Sequence, residues 1–325
     1  MSDALIILPI SNGFQDTKID KLIDTSPYYG QTKELIQLLL DIGVIVLNPN
    51  LGVFEFRTFF TNNNNKIQVV SLLLGYIAEG IVVRECNNDR NKNREWANIA
   101  RTLKEDSNPM INFLKNVFYK PFLENPEHYT AIGTGFIKTK KDYPHLFDYL
   151  SDRDICWVNK YNDAKELLTI DGIYRSKRKN AGIQIKVSCS NSATYVTNYF
   201  KIKAYYKLYP VVYFDLGNDF QKVRDNLMNI SPDDKKLVSN SLFSNNVTSS
   251  GRSRGDIIDI MLIRGKDIDP ALHDELLYYK YLLEKIVSGQ TDLYGLSDEK
   301  IIMSLLLQYV GQKAMNSSSV LTIGS

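Results

Sequence analysis

The sequence predicts an α/β fold, a mixed sheet flanked by helices, with a mostly helical N-terminal region and C-terminal helices. Three observations predict it. Short apolar runs bounded by turn residues, such as "ALIILP" and "PVVYFDLG", read as buried strands. Longer segments with apolar residues three and four apart, such as "KELIQLLLDIG" and "REWANIARTLKED", read as helices. The two kinds alternate along the chain, as layered α/β folds require.

The totals bound the function classes. A chain of 325 residues with 44% hydrophobic side chains can bury a substantial core as one large domain or two modest ones. Lysine plus arginine number 39 against 37 acids, a net charge of +2, so any pull on a polyanion must be local. Cys86, Cys156 and Cys189 lie far apart, which argues against a zinc module or a disulfide framework and for a reducing, cytoplasmic compartment. The start "MSDALIILPI" lacks a basic n-region. The longest apolar stretches are interrupted by Asp41 and Glu79, so no membrane span is expected.

Taken in order, region 1–107 offers the strands "ALIILP" and "VIVLN" and the helices "KELIQLLLDIG", "KIQVVSLLLGYIAEG", ending near Gly80, and "REWANIARTLKED", with Trp96, Ile99, Ala100 and Leu103 on one side. Region 108–230 opens with "PMINFLKNVFYKPFLEN", a helix whose first turn tolerates Pro109. "HYTAIGTGFIKTK" alternates like a strand, "YPHLFDYLS" reads as a short helix and "DICWVN" as a short strand. The runs "ELLTIDGIY" and "AGIQIKVS" flank the polar turn "RSKRKN". "SATYVTNYFKIKAYYKLY" has helical spacing with Ser192 as N-cap, "PVVYFDLG" is a strand, and "NDFQKVRDNLMN" a capped helix. Region 231–325 begins with the polar loop "SNSLFSNNVTSSGRSRG", followed by a strand "DIIDIMLIRG" and two amphipathic helices.

Side chains alternate along a strand, so Gln184 and Lys186 project from one face while Ile183, Ile185 and Val187 point into a core. Asp171, on the neighbouring run, can reach the same polar face. A carboxylate, an amide oxygen and an ammonium on one small sheet face match what metal-assisted phosphodiester hydrolysis needs: hard oxygen ligands for Mg²⁺ and a cation near the attacking water.

"IDG" followed by a strand with "IQIK" resembles the PD-(D/E)xK nuclease superfamily, the restriction-endonuclease-like fold, in its Q-x-K variant. The family core runs helix, three strands, helix, strand. Here "PMINFLKNVFYKPFLEN", "HYTAIGTGF", "ELLTIDGIY", "AGIQIKVS", "SATYVTNYFKIKAYYKLY" and "PVVYFDLG" occur in that order, with "YPHLFDYLSDRDICWVN" as an insertion. The resemblance implies that Asp171 holds Mg²⁺, or Mn²⁺ in its place, with the Gln184 side-chain oxygen and the Ile185 carbonyl. Lys186 would orient or activate water, and Glu124 or Glu127 would add an acid. It further implies a restriction or anti-phage nuclease acting on double-stranded DNA as a homodimer, paired through C-terminal residues such as Leu276, Leu277, Tyr281, Leu282 and Ile286. Two departures stand out: no proline precedes Asp171, and a glutamine replaces the usual acid.

The charge pattern points the same way. From Gly172 to Phe214 there is no acid in 43 residues, while Arg175, Lys177, Arg178, Lys179, Lys186, Lys201, Lys203 and Lys207 supply eight positive charges, a local footprint for a phosphate backbone. "IGTGFIKTKK" lacks G-K-[ST] and fails as a P-loop; the three histidines have no hydrolase or zinc-protease companions. Asp256 and Asp259, read as facing opposite sides of a strand, are a poor metal pair. Two non-catalytic readings remain: a nucleic-acid-binding protein that keeps the fold without the chemistry, and a regulatory protein whose N-terminal half senses a small molecule.

Overall fold

The structure is a computed structural model that describes residues 38–48, 53–56, 66–101, 125–148, 150–161, 165–170, 180–190, 193–202, 209–230, 254–288 and 290. It is a mixed α/β chain dividing into two compact units, Met1–Ile77 with Asp274–Ser325, and Ala78–His273.

In the first unit, helical residues 38–42 stop at Gly43, whose φ of 83° is open to glycine without a Cβ penalty. Gly43 N–H and Val44 N–H then close the helix end by donating to the Leu39 carbonyl at 3.1 and 2.8 Å. Strand β1 (Ile45–Asn48) follows and pairs antiparallel with β2 (Val53–Phe56), Ile45 opposite Phe56. Leu39, Val70, Leu73, Leu74, Leu276 and Leu283 are among the unit's buried side chains.

Helix α1 (Lys66–Asn88) was expected to end near Gly80 but continues for two more turns, because Ile81, Val82 and Cys86 extend its buried face. By length and composition it would also suit a membrane span, with a mean hydropathy of 1.6 over its most apolar window, contrary to expectation; half of that window is buried within the protein. Helix α2 (Arg90–Ala100) starts at Asp89, whose carboxylate accepts from the Asn91 and Lys92 N–H groups at 2.7 and 3.1 Å.

The second unit holds the remaining strands. β3 (Tyr129–Gly133) pairs antiparallel with β4 (Ile155–Asn159), Tyr129 opposite Asn159 and Gly133 opposite Ile155. An antiparallel bridge from Ile155 to Ile183 joins β4 to the start of β5 (Gln184–Ser188). β5 runs parallel to β6 (Val211–Asp215), which runs parallel to β7 (Leu262–Arg264). Parallel strands need a crossover, and helix α4 (Ala193–Ile202) lies on the path from β5 to β6. Val196 and Phe200 of α4 pack with Val211 and Tyr213 of β6, and with Val223 and Leu227 of α5 (Phe220–Met228).

Several boundaries differ from the sequence reading. "HYTAIGTGFIKTK" is a strand only to Gly133; Ile137–Asp142 then forms α3, held back by a 2.6 Å bond from the Thr139 hydroxyl to the Gly133 carbonyl. "DICWVN" is the short strand read from the sequence, and it pairs with β3. Ile155, Cys156, Trp157 and Val158 are all buried, the pattern of a strand covered on both faces. Of "ELLTIDGIY", residues 166–170 are described: they run antiparallel to β4, with the Leu168 N–H on the Trp157 carbonyl at 2.8 Å and the Asn159 N–H on the Glu166 carbonyl at 2.8 Å, and they meet the start of "AGIQIKVS" through the Thr169–Asn180 bridge; Asp171 and the residues after it lie outside the described residues. "DIIDIMLIRG" is mainly helix α6 (Arg254–Met261), with β7 confined to three residues. Asp259 therefore projects from a helix, where it binds Arg224 through two bonds of 2.8 and 3.1 Å. A short α7 (Gly265–Ile268) leads to α8 (Pro270–Val287). Leu276, Tyr281 and Leu282, named for subunit pairing, are buried by the chain's own residues. The helix "PMINFLKNVFYKPFLEN" up to residue 124, the cap Ser192 and the final helix lie outside the described residues.

Candidate active site

Two side-chain amides fix the helices to the sheet. Asn93 of α2 is buried and uses its whole amide: Nδ2 donates to the Pro126 and Tyr129 carbonyls at 3.0 and 3.1 Å, and Oδ1 accepts from the Trp157 indole N–H at 2.8 Å. Asn87, near the end of α1, meets the backbone of β3 as a neighbouring strand would. Its Nδ2 donates to the Ala131 carbonyl at 2.9 Å and its Oδ1 accepts from the Ala131 N–H at 2.9 Å. Glu79 lies two turns earlier on the same helix, and its carboxyl feels the charges of Asp154 and Lys186.

The charged end of the sheet is built from the approach to β4 and the start of β5. Asp154, immediately before β4, accepts the Ile185 N–H at 2.7 Å and the Lys186 ammonium at 3.0 Å, both on Oδ2. Its Oδ1 takes no hydrogen bond from a described residue. Lys186 Nζ also donates to the Ile185 carbonyl at 2.9 Å, leaving that oxygen one lone pair. Gln184 is 3% exposed, and its Nε2 donates to the Asp152 carbonyl. The Asp154 N–H donates to the Ile183 carbonyl at 2.9 Å, so the two segments are laced together on both sides of Asp154.

Glu79 completes the group. Burial pushes its carboxyl well above the usual carboxylate range, the negative charge of Asp154 adds to that, and Lys186 opposes it. The charges of Asp154 and Glu79 oppose each other, and a divalent cation held by their oxygens would relieve that repulsion. Mg²⁺ commonly takes one or two carboxylates and keeps several waters, so Glu79, Asp154 Oδ1 and the Ile185 carbonyl are a suitable donor set. Among the described residues no group of three or more His, Cys, Asp and Glu side chains is placed to hold a metal ion.

Of the residues named from the sequence, Gln184, Ile185 and Lys186 come together here. Asp171, Arg175, Lys177, Arg178, Lys179, Lys203 and Glu124 lie outside the described residues. Glu127 precedes Tyr129, at the Asn159 end of the β3/β4 pair, and Asn159 is about 17 Å along the strand from Asp154. Lys201 lies in the last turn of α4, and Tyr195 of that helix is 58% exposed with its hydroxyl bonded to that of Tyr199. Sequence reasoning missed Asp154 and Glu79. The signals were present: an acid directly before the apolar run "ICWV", and a single acid inside the apolar helix "VVSLLLGYIAEGIVV".

No family model, curated protein or solved structure matches the chain.

Proposed function

We propose that this chain is a Mg²⁺-dependent nuclease of the restriction-endonuclease-like class that hydrolyses DNA phosphodiester bonds, in a restriction or anti-phage role. The observation that carries this reading is the contact of Asp154 Oδ2 with Lys186 Nζ at 3.0 Å, beside Glu79 and the Ile185 carbonyl. The strand order supports it: antiparallel β3 and β4, a bridge to β5, then a helical crossover to parallel β6. Bound Mg²⁺ would supply Lewis acidity and a more acidic water. Asp154 and Glu79 would hold the cation, and Lys186 would keep positive charge at the attacked phosphate, where charge builds in the transition state.

The test is nicking of supercoiled plasmid in Mg²⁺ by the wild type, Glu79→Gln and Lys186→Ala, with Asp171→Asn as comparison. The wild type should cut and both site variants should lose cutting, while Asp171→Asn shows whether the acid named from the sequence is needed as well. Absence of cutting by the wild type in Mg²⁺ and in Mn²⁺ rejects the nuclease. A second reading, a nucleic-acid-binding protein without chemistry, is favoured by the absence of a three-acid cluster among the described residues. It predicts salt-dependent DNA binding that divalent cations leave unchanged.

A further inference from the structure

We infer that Gln184 is a positioning residue: its amide acts as a hydrogen-bond donor that ties the Asp152–Asp154 backbone to β5 and aims Asp154 at Lys186, and it is not a metal ligand. The inference rests on the nuclease reading above. A main-chain carbonyl only accepts, so the atom facing Asp152 O is the Gln184 NH₂. The same two segments are joined by the Asp154 and Ile155 N–H groups on the Ile183 carbonyl, at 2.9 and 3.2 Å, and by the Ile185 N–H on Asp154 Oδ2 at 2.7 Å. Gly182 permits this approach: a Cβ there would lie 2.5 Å from Arg153 Cδ and 3.0 Å from the Ile155 carbonyl oxygen. A glutamate at position 184 would bring an ionised acceptor against a carbonyl in a place that is 3% exposed. Only its protonated form could donate. The glutamine that stands where the family pattern has an acid is therefore required by its neighbour, Asp152.

The experiment compares the full-length wild type, Gln184→Glu and Gln184→Met. Melting is followed across pH without metal or DNA, Mn²⁺ binding by calorimetry, and kcat and KM for DNA cleavage in Mg²⁺. Gln184→Glu should melt below the wild type at alkaline pH, and the gap should close as pH falls and the carboxyl takes up a proton to donate to Asp152 O. Gln184→Met should show a gap that pH does not move. At alkaline pH Gln184→Glu should bind Mn²⁺ more weakly, and its kcat should fall on the order of ten- to a hundredfold with KM unchanged. Tighter Mn²⁺ binding by Gln184→Glu, or a melting gap independent of pH, overturns the assignment. Should the wild type cut no DNA, the nuclease reading fails, while the metal-free melting gap still decides the role of Gln184 as a donor. If Gln184→Glu does not fold at alkaline pH, refolding on acidification gives the same answer.

Discussion

Asp154→Asn removes one charge with almost no change of shape. In the wild type Asp154 Oδ2 serves two donors, the Ile185 N–H at 2.7 Å and the Lys186 ammonium at 3.0 Å. The single oxygen of an asparagine can keep the first, while the second loses its ionic character. Because the two side chains are 33% and 20% exposed, solvent screens part of that loss, leaving about 1–2 kcal/mol. Against a typical stability of about 5–15 kcal/mol the variant stays folded at 25 °C. Cutting should suffer far more, by roughly 10²–10³-fold, as when one preorganised charge is withdrawn from a transition state. Urea denaturation of Asp154→Asn, Lys186→Met and the double variant measures the coupling between them, and plasmid nicking by the same proteins measures the chemistry. Coupling within error of zero, or nicking equal to the wild type, would refute the assignment of Asp154 as the working acid.

Glu79→Gln tests the electrostatics directly. A carboxyl raised in the folded state contributes stability below its unfolded pKa and loses it as pH rises through the folded value. From the ordinary carboxylate range upward, wild-type stability should therefore fall relative to Glu79→Gln, and denaturation midpoints between about pH 4 and 8 should show the variant gaining. Asn93→Leu strands two carbonyls and the Trp157 indole N–H in a buried place, so urea unfolding should report a loss of roughly 3–5 kcal/mol; a loss below 1 kcal/mol would mean that water replaces the amide. Burial pushes the Cys156 thiol up to about 11 and the Cys86 thiol further, and Cys189 is buried too. A thiol reagent near neutral pH should thus label the native protein far more slowly than the denatured one.

How legible the site was depended on what each residue touches. Gln184 and Lys186 were legible because strand alternation is local: "GIQIKV" puts its isoleucines inward whatever lies beside it. Asp154 was not. Its acid sits before a strand read as part of an insertion, and only the pairing of Gly133 with Ile155 and of Ile155 with Ile183 brings that strand beside β5. "ELLTIDGIY" does meet "AGIQIKVS" across the turn, through the Thr169–Asn180 bridge and the Ala181 N–H on the Leu168 carbonyl, while Asp171 itself lies outside the described residues. Glu79 was hidden differently. It was noted as a break in an apolar run, and its meaning depends on Asn87 docking the helix against β3, 44 residues away in sequence from Ala131.

The sequence by itself determined the composition of an α/β chain, the β5 strand with its Gln-x-Lys, the α4 crossover and β6, since these follow from periodicity over a few neighbouring residues. Tertiary structure alone decided that Asp154 meets Lys186 and that the Gln184 amide donates to Asp152. Both answers lie in contacts between segments about thirty residues apart, where the partner of a buried donor is set by which backbones approach and not by local propensity.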